Sequence, residues 1–210
     1  HPATLAVNRR EQLPVAARAL GFPLFVKPNC GGAGHGVRRF ENEAALAAAL
    51  EARNAAWGNP VADEIARWRA GAEVVVSGQQ PGLLGGPHLT LIKACAVAAE
   101  VGLRRAAGHD AVGFFWLATN DDDLPELGWG RVAVGEEVLA VREENWRQGD
   151  VTAGHVPLSA ATAALLEEIA KRNRGDRARE AVALAAQCYR PGVSLGEATG
   201  SFLGQLLRGL

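Results

Sequence analysis

The chain has 210 residues and a formal charge of −1, with 22 Lys+Arg against 23 Asp+Glu, which gives no electrostatic case for nucleic acid or an anionic membrane surface as partner. No apolar run reaches the roughly 18 residues of a membrane span, no signal-peptide pattern opens the chain, and Cys30, Cys95 and Cys188 are too few and too far apart for a disulfide scaffold or a zinc site. The cytoplasm is therefore the expected compartment, and the start at His1 with no Met anywhere reads as a fragment of a longer protein.

Aromatic residues make up only 6%, and Ala and Leu supply most of the apolar content. That composition favours helices packed on a modest sheet. Near the start, Arg10 to Leu20 carries Leu13, Ala16, Ala17 and Leu20 at helical spacing, with Pro14 in the first turn and Gly21 as C-cap. Phe22 to Pro28 reads as a strand. A glycine loop, Gly31 to Gly36, follows; Phe40 closes a second short strand, and Asn42 is a good N-cap for a helix from Glu43 to Arg53.

Residues 1–53 in this order resemble the front of the ATP-grasp nucleotide-binding unit, as in D-alanine–D-alanine ligases. The resemblance implies that Lys27 contacts nucleotide phosphate and that Gly32, Gly34 and Gly36 belong to a loop closing over ATP or ADP. A cation beside free backbone N–H groups is a sound anion cradle. The family's adenine-holding strand and magnesium carboxylates do not follow Arg53. The segment is therefore expected to be a truncated or grafted small α+β piece, and a structural hairpin with a mobile glycine turn is the competing reading.

Asn54 to Asn59, with Gly58 and Pro60 as punctuation, is the best domain boundary, separating 1–53 from 54–210. Val61 to Ala70 is helical, with Ile65 and Trp68 on one face. Val74-Val75-Val76 is then a strand that runs into Ser77-Gly78-Gln79-Gln80-Pro81-Gly82, with Gly85-Gly86-Pro87 beyond. Glycines at such a strand–helix turn bring main-chain N–H groups close to a ligand, and the two amides both donate and accept. A helix from Leu89 to Arg105 is expected to bury Leu91, Ile92, Cys95, Val97, Ala98 and Val101, with Lys93 in its first turn beside any bound anion. Val112 to Leu117 is a continuous apolar run, as in a parallel strand covered on both faces, and it completes a βαβ unit. Asn120-Asp121-Asp122-Asp123 lies just past its carboxyl end, where ligands bind in open α/β sheets. Three adjacent carboxylates can bind a substrate amine, hold a magnesium or supply a base; a solvated acidic turn is the plain alternative. No residue is assigned to a metal.

The wording GQQPGLLGGP followed by TLIKA, together with FFWLAT before the acid run, resembles the bacillithiol biosynthesis cysteine-adding enzymes, the BshC family. That family usually reads Glu-Asp-His-Asp where this chain has Asn120 to Asp123, so Asp121 and Asp123 match. The resemblance implies a ligase that joins the carboxyl of cysteine to the amine of glucosaminyl malate. Ser77, Gly78, Gln79, Gln80, Gly82, Gly86, Lys93 and Asn120 would bind substrate, and Asp121 and Asp123 would carry the catalysis.

Further on, Arg131 to Val134 and Val138 to Val141 read as short strands, and Gly154 to Leu158 as a third. Ser159 to Lys171 and Arg177 to Cys188 read as helices, and His155 as structural. Tyr189 to Ala198 resembles a block of the same family that precedes a helix. Ser194 and Glu197 have capping-box spacing there, and Leu195, Phe202, Leu203, Leu206 and Leu207 supply an apolar face. The expected fold is α/β: a Rossmann-like parallel sheet with flanking helices, preceded by the ATP-grasp-like segment. Cysteine and glucosaminyl malate are the expected small-molecule partners, and a homo-oligomer of the full-length protein stays open. An ATP-grasp carboxylate–amine ligase and a non-catalytic small-molecule-binding fragment are the alternative functions.

Overall fold

The computed structural model describes residues 24–26, 38–144, 146–147 and 151–208. The expected helix at Arg10 to Leu20, Lys27 and the loop carrying Gly32, Gly34 and Gly36 lie outside the described residues. Strand β1 (Leu24–Val26) pairs antiparallel with β2 (Arg38–Phe40). Helix α1 (Glu43–Ala56) starts where expected: Asn42 is extended and its side chain accepts from Ala45 N at 2.8 Å, a cap that contributes about 1 kcal/mol. It runs to Ala56, past the expected end at Arg53, because the first residue able to turn the chain is Gly58 at φ +76°. Helix α2 (Ala62–Arg69) buries Ile65 and stops before Gly71 at φ +102°.

The centre of the molecule is a βαβ unit. Strand β3 (Glu73–Gln79) and strand β4 (Ala111–Leu117) are parallel neighbours, paired from Glu73↔Ala111 to Gln79↔Leu117. Helix α3 (His88–Ala106) connects them and packs on both. At Gly113 an added Cβ would lie 2.8 Å from Val97 Cγ1, so this glycine is what lets α3 sit down on the strand. The opposite face meets α2, where Trp68 touches Phe114 edge-on at 6.0 Å. Sheet and helices thus form the expected α/β layers of a Rossmann-like domain.

Three local expectations are corrected here. Ser77, Gly78 and Gln79 belong to strand β3, not to the loop, because pairing with Phe115, Trp116 and Leu117 carries the ladder three residues beyond the valines. Helix α3 begins at His88, so Lys93 falls in the second turn rather than the first. Its buried stripe is Thr90, Ala94, Val97 and Val101, whereas Ile92 is 63% exposed and Cys95 is exposed. The helix is apolar nearly all round, so periodicity alone does not select the stripe that meets the sheet.

Past β4 come the short helix α4 (Leu124–Leu127) and the hairpin of β5 (Trp129–Val134) and β6 (Glu137–Arg142), turned at Gly135. The third strand expected at Gly154 to Leu158 is absent; that stretch makes one isolated bridge, Pro157 to Ser194. Helices α5 (Ala160–Arg172), α6 (Asp176–Cys188) and α7 (Leu195–Leu206) follow. Ser159 caps α5, and Ser194 caps α7 by accepting from Glu197 N at 3.2 Å. These helices close a core that holds Leu83, Leu124, Leu166, Ile169, Tyr189, Leu195 and Leu203. Leu206, expected on the apolar face, is exposed.

Candidate functional site

The carboxyl ends of β3 and β4 deliver their next residues to one place. Gln80 follows β3 directly, and its Nε2 donates to Asp121 Oδ2 at 2.5 Å. The other oxygen of Asp121 accepts from Asp123 N at 2.9 Å, so one carboxylate ties the glutamine loop to the acid turn and shapes that turn. Gln79, the last residue of β3, accepts through Oε1 from Lys93 Nζ at 2.7 Å, and the same ammonium lies 3.3 Å from Gly78 O. Both partners of Lys93 are uncharged, which leaves its positive charge available to an anion. Gln79, Gln80, Lys93 and Asp121 are half-buried, as are Asn120, Asp122 and Asp123 beside them. Ser77 lies deeper, paired within the strand. The glutamine loop and the acid run, expected to face one crevice, meet directly through the Gln80–Asp121 hydrogen bond.

The loop between Gln80 and α3 is tight. A Cβ on Gly82 would stand 2.7 Å from Gly86 Cα, so only glycine fits at position 82. Gly85 and Gly86 hold φ of +91° and +77°, and between them and Leu83 stands Leu84 at φ +57°. That conformation costs a residue with a Cβ about 1 kcal/mol or more. Leu84 accepts it among the residues packed under the β5–β6 hairpin, where a Cβ on Gly130 would meet Leu83 at 3.2 Å and Leu84 at 3.5 Å. Below the loop the hydroxyl of Thr90 is buried with no hydrogen-bond partner among the described residues, 3.1 Å from where a Cβ of Gly86 would be.

Sequence reasoning gave no site role to Tyr189 and Thr199, yet both reach this loop. The Tyr189 hydroxyl accepts from Gly85 N at 2.7 Å and donates to Gly82 O at 3.0 Å. The Thr199 hydroxyl donates to the same carbonyl at 3.1 Å and lies 3.3 Å from the phenol oxygen. The family-like block beginning at Tyr189 was the available signal, but nothing in its spacing indicates a partner more than a hundred positions away.

Burial pushes the Tyr189 phenol up from its ordinary range near pH 10. The folded pKa is the raised one, so this contribution to stability is intact below about pH 10 and is lost as pH rises from there toward the folded value. Tyr189 is the chain's single tyrosine, so phenolate absorbance follows it alone. Its ionisation should appear well above about pH 10 and together with unfolding. A reversible titration near pH 10 with the fold intact would contradict the buried, bonded hydroxyl.

A cavity of about 570 Å³ lies elsewhere, at the junction of β6 and α5, lined in part by Arg142, Glu143, Trp146 and Ser159. Its buried carboxylate, Glu143, already accepts from Ser159 N and Thr162 Oγ1 and so serves as a second cap for α5. The strand ends are the candidate site, because there a cation, two amides and a carboxylate are hydrogen-bonded in neighbouring pairs. Among the described residues no group of three His, Cys, Asp or Glu side chains is arranged to hold a metal ion, and no helix is long and apolar enough to cross a membrane.

Comparison with known proteins points to one family. The profile of the family described as "Bacillithiol biosynthesis BshC, N-terminal Rossmann-like domain" matches residues 34–209. A protein of Solibacter usitatus named "Putative cysteine ligase BshC" is 32% identical over 170 residues, which cover 80% of this chain and 31% of that protein. Its namesake in Symbiobacterium thermophilum is 34% identical over 141 residues, 62% of this chain and 24% of that one. In Koribacter versatilis the likeness is 46% over 63 residues, 30% of this chain and 12% of the relative. The chain thus spans about a third or less of the relatives it matches.

Proposed function

The chain belongs to the BshC family, matching its N-terminal Rossmann-like domain, and from that premise we propose that it forms the substrate crevice of a cysteine ligase that joins the carboxyl of cysteine to the amine of glucosaminyl malate. The observation that carries the reading is the 2.5 Å bond between Gln80 and Asp121, which joins the ends of two adjacent parallel strands into one polar floor. In this reading Lys93 and Gln80 hold the anionic malate group or an activated carboxylate beside the Gly82–Gly86 loop, and Gln79 is fixed by Lys93 for the same task. Asp121 or Asp123 orients the attacking amine and takes its proton as the carbon–nitrogen bond forms and the activating group leaves the cysteine carboxyl. The source of that activation is not assigned to residues of this chain.

The ATP-grasp-like resemblance of residues 1–53 is proposed to mark an accessory segment, of which residues 34–53 also fall within the family match, and the cytoplasm is proposed as the place where the enzyme works. Calorimetric titration of the 210-residue chain with glucosaminyl malate, then with ATP, tests the assignment. Binding of the malate compound that disappears in Gln80→Ala supports the crevice. Binding of ATP alone, lost in Lys27→Ala, moves the function to the N-terminal piece. A chain that binds neither compound does not carry the substrate site.

A further inference from the structure

We propose that Tyr189 and Thr199 are positioning residues of the Gln80 crevice, their hydroxyls fastening the Gly82–Gly86 loop in the form that binds substrate. The loop has little of its own to hold it. Leu84, Gly85 and Gly86 stand at positive φ in succession, and the hydrogen bond from Gly86 N to Leu83 O at 3.0 Å is the one backbone bond found inside it. Fixing each residue of such a loop opposes conformational entropy, so something outside must supply the difference.

The start of α7 and the residue after α6 supply it. The phenol of Tyr189 takes the Gly85 N–H and gives its own proton to Gly82 O, bridging the two ends of the turn. Thr199 adds a second donor to the Gly82 carbonyl. Phe202 closes over the same spot: a Cβ on Gly85 would lie 3.1 Å from its ring, and that ring packs edge-on against Tyr189 at 5.8 Å. Tyr189 is 1% exposed, so water does not replace the phenol when it is removed. The fastened loop lies between Gln80 and the first turn of α3. A change at Gly82 is thereby felt at the Gln80 amide two residues away and at Gly86, which packs against Gly82. Neither hydroxyl belongs to the polar floor, which is why the role is positioning and not catalysis.

The inference rests on the proposed crevice for its ligand, and the test separates the two. Tyr189→Phe keeps the ring on Phe202 and deletes one oxygen. Thr199→Val deletes the second hydroxyl with little change in shape, and Thr199→Ser restores it. In the 210-residue chain, amide hydrogen exchange at Gly85 should quicken about tenfold in Tyr189→Phe relative to exchange in the β5–β6 hairpin. Affinity for glucosaminyl malate should fall by about the same factor. Thr199→Val should follow in the same direction at Gly85 and in affinity, and Thr199→Ser should match the parent. Should Tyr189→Phe fail to fold, the Thr199 pair decides alone. Unchanged exchange at Gly85, exchange quickened equally throughout the chain, or full affinity with a loosened loop would each overturn the proposal. A parent chain that does not bind the malate compound sinks the crevice reading instead; the exchange ratio then still decides whether the hydroxyls hold the loop.

Discussion

Gly200→Val should lower stability by about 3 kcal/mol, at the upper end of what overpacking costs. Gly200 sits inside α7, where a Cβ would stand 2.5–2.7 Å from three ring atoms of Trp57. No real Cβ contact is that short, and the neighbour is a rigid indole rather than the tip of a flexible chain. Trp57 is half-buried with the Arg53 guanidinium over its ring at 5.7 Å, so moving the indole off α7 disturbs that contact too. The same side of α7 presents Gly196, whose Cβ would press on Thr119 Cγ2 at 2.8 Å, and Gly204, at 3.1 Å from Asn59 Cβ. Spaced by four, these glycines form a flat track on which the Trp57–Asn59 segment and the Thr119 turn rest. An interior glycine weakens a helix by about 1 kcal/mol relative to alanine, so close packing must outweigh three such penalties. Gly200→Ala already carries the clashing Cβ but adds no further methyl groups and recovers about 1 kcal/mol of propensity, so it should destabilise by about 1–2 kcal/mol, less than valine. Urea midpoints compare the three proteins, and a valine variant as stable as the parent would show that Trp57 does not lie against α7.

Asp121→Ala in the full-length enzyme should reduce turnover by at least about 100-fold, the lower range for loss of a positioned acid–base group. The change acts twice. It removes the carboxylate proposed to receive the amine proton, and it releases both Gln80 Nε2 and Asp123 N from the oxygens that hold them. Asp121→Asn keeps an amide oxygen that can accept from Asp123 N, but it removes the charge and turns an NH2 toward Gln80 Nε2, so the Gln80 bond survives only if the Gln80 amide turns over. Loss in alanine alone points to the scaffold; loss in both variants points to the charge or to its bond with Gln80. Gln80→Ala should impair turnover as well, through the crevice floor. Steady-state rates of cysteine addition decide the matter, and an alanine variant with the parent rate removes Asp121 from the mechanism.

Much of this arrangement could be read in the sequence because local chemistry and tertiary packing agree there. Asn42 caps where an asparagine before Glu43 should, and Ser194 with Glu197 opens α7. The valine run and the FFWL run become parallel neighbours, and that pairing alone carries Gln80 to Asp121. The failures share a cause. Ser77 to Gln79 read as a loop because serine, glycine and glutamine are weak strand formers, but a partner strand was there to pair with them. Ile92 and Cys95 are as apolar as Val97, and only the position of the sheet distinguishes them. Gly154 to Leu158 has strand-like residues and one bridging partner. Tyr189 stands in a recognisable block, but its task depends on a backbone that the chain order places far away.

The separation between Gly82 and its two fasteners, 107 positions to Tyr189 and 117 to Thr199, also sets an order of events on the ribosome. At about 5–20 residues per second, the glycine turn leaves the exit tunnel roughly five to twenty seconds before the phenol that secures it. The parallel strand pair can assemble within that interval, as its members lie much closer together. A nascent chain therefore passes through a stage with its sheet paired and its glycine turn still unsecured. Slow translation of residues 124–188 lengthens that stage, and a chaperone that binds exposed backbone would find its target there.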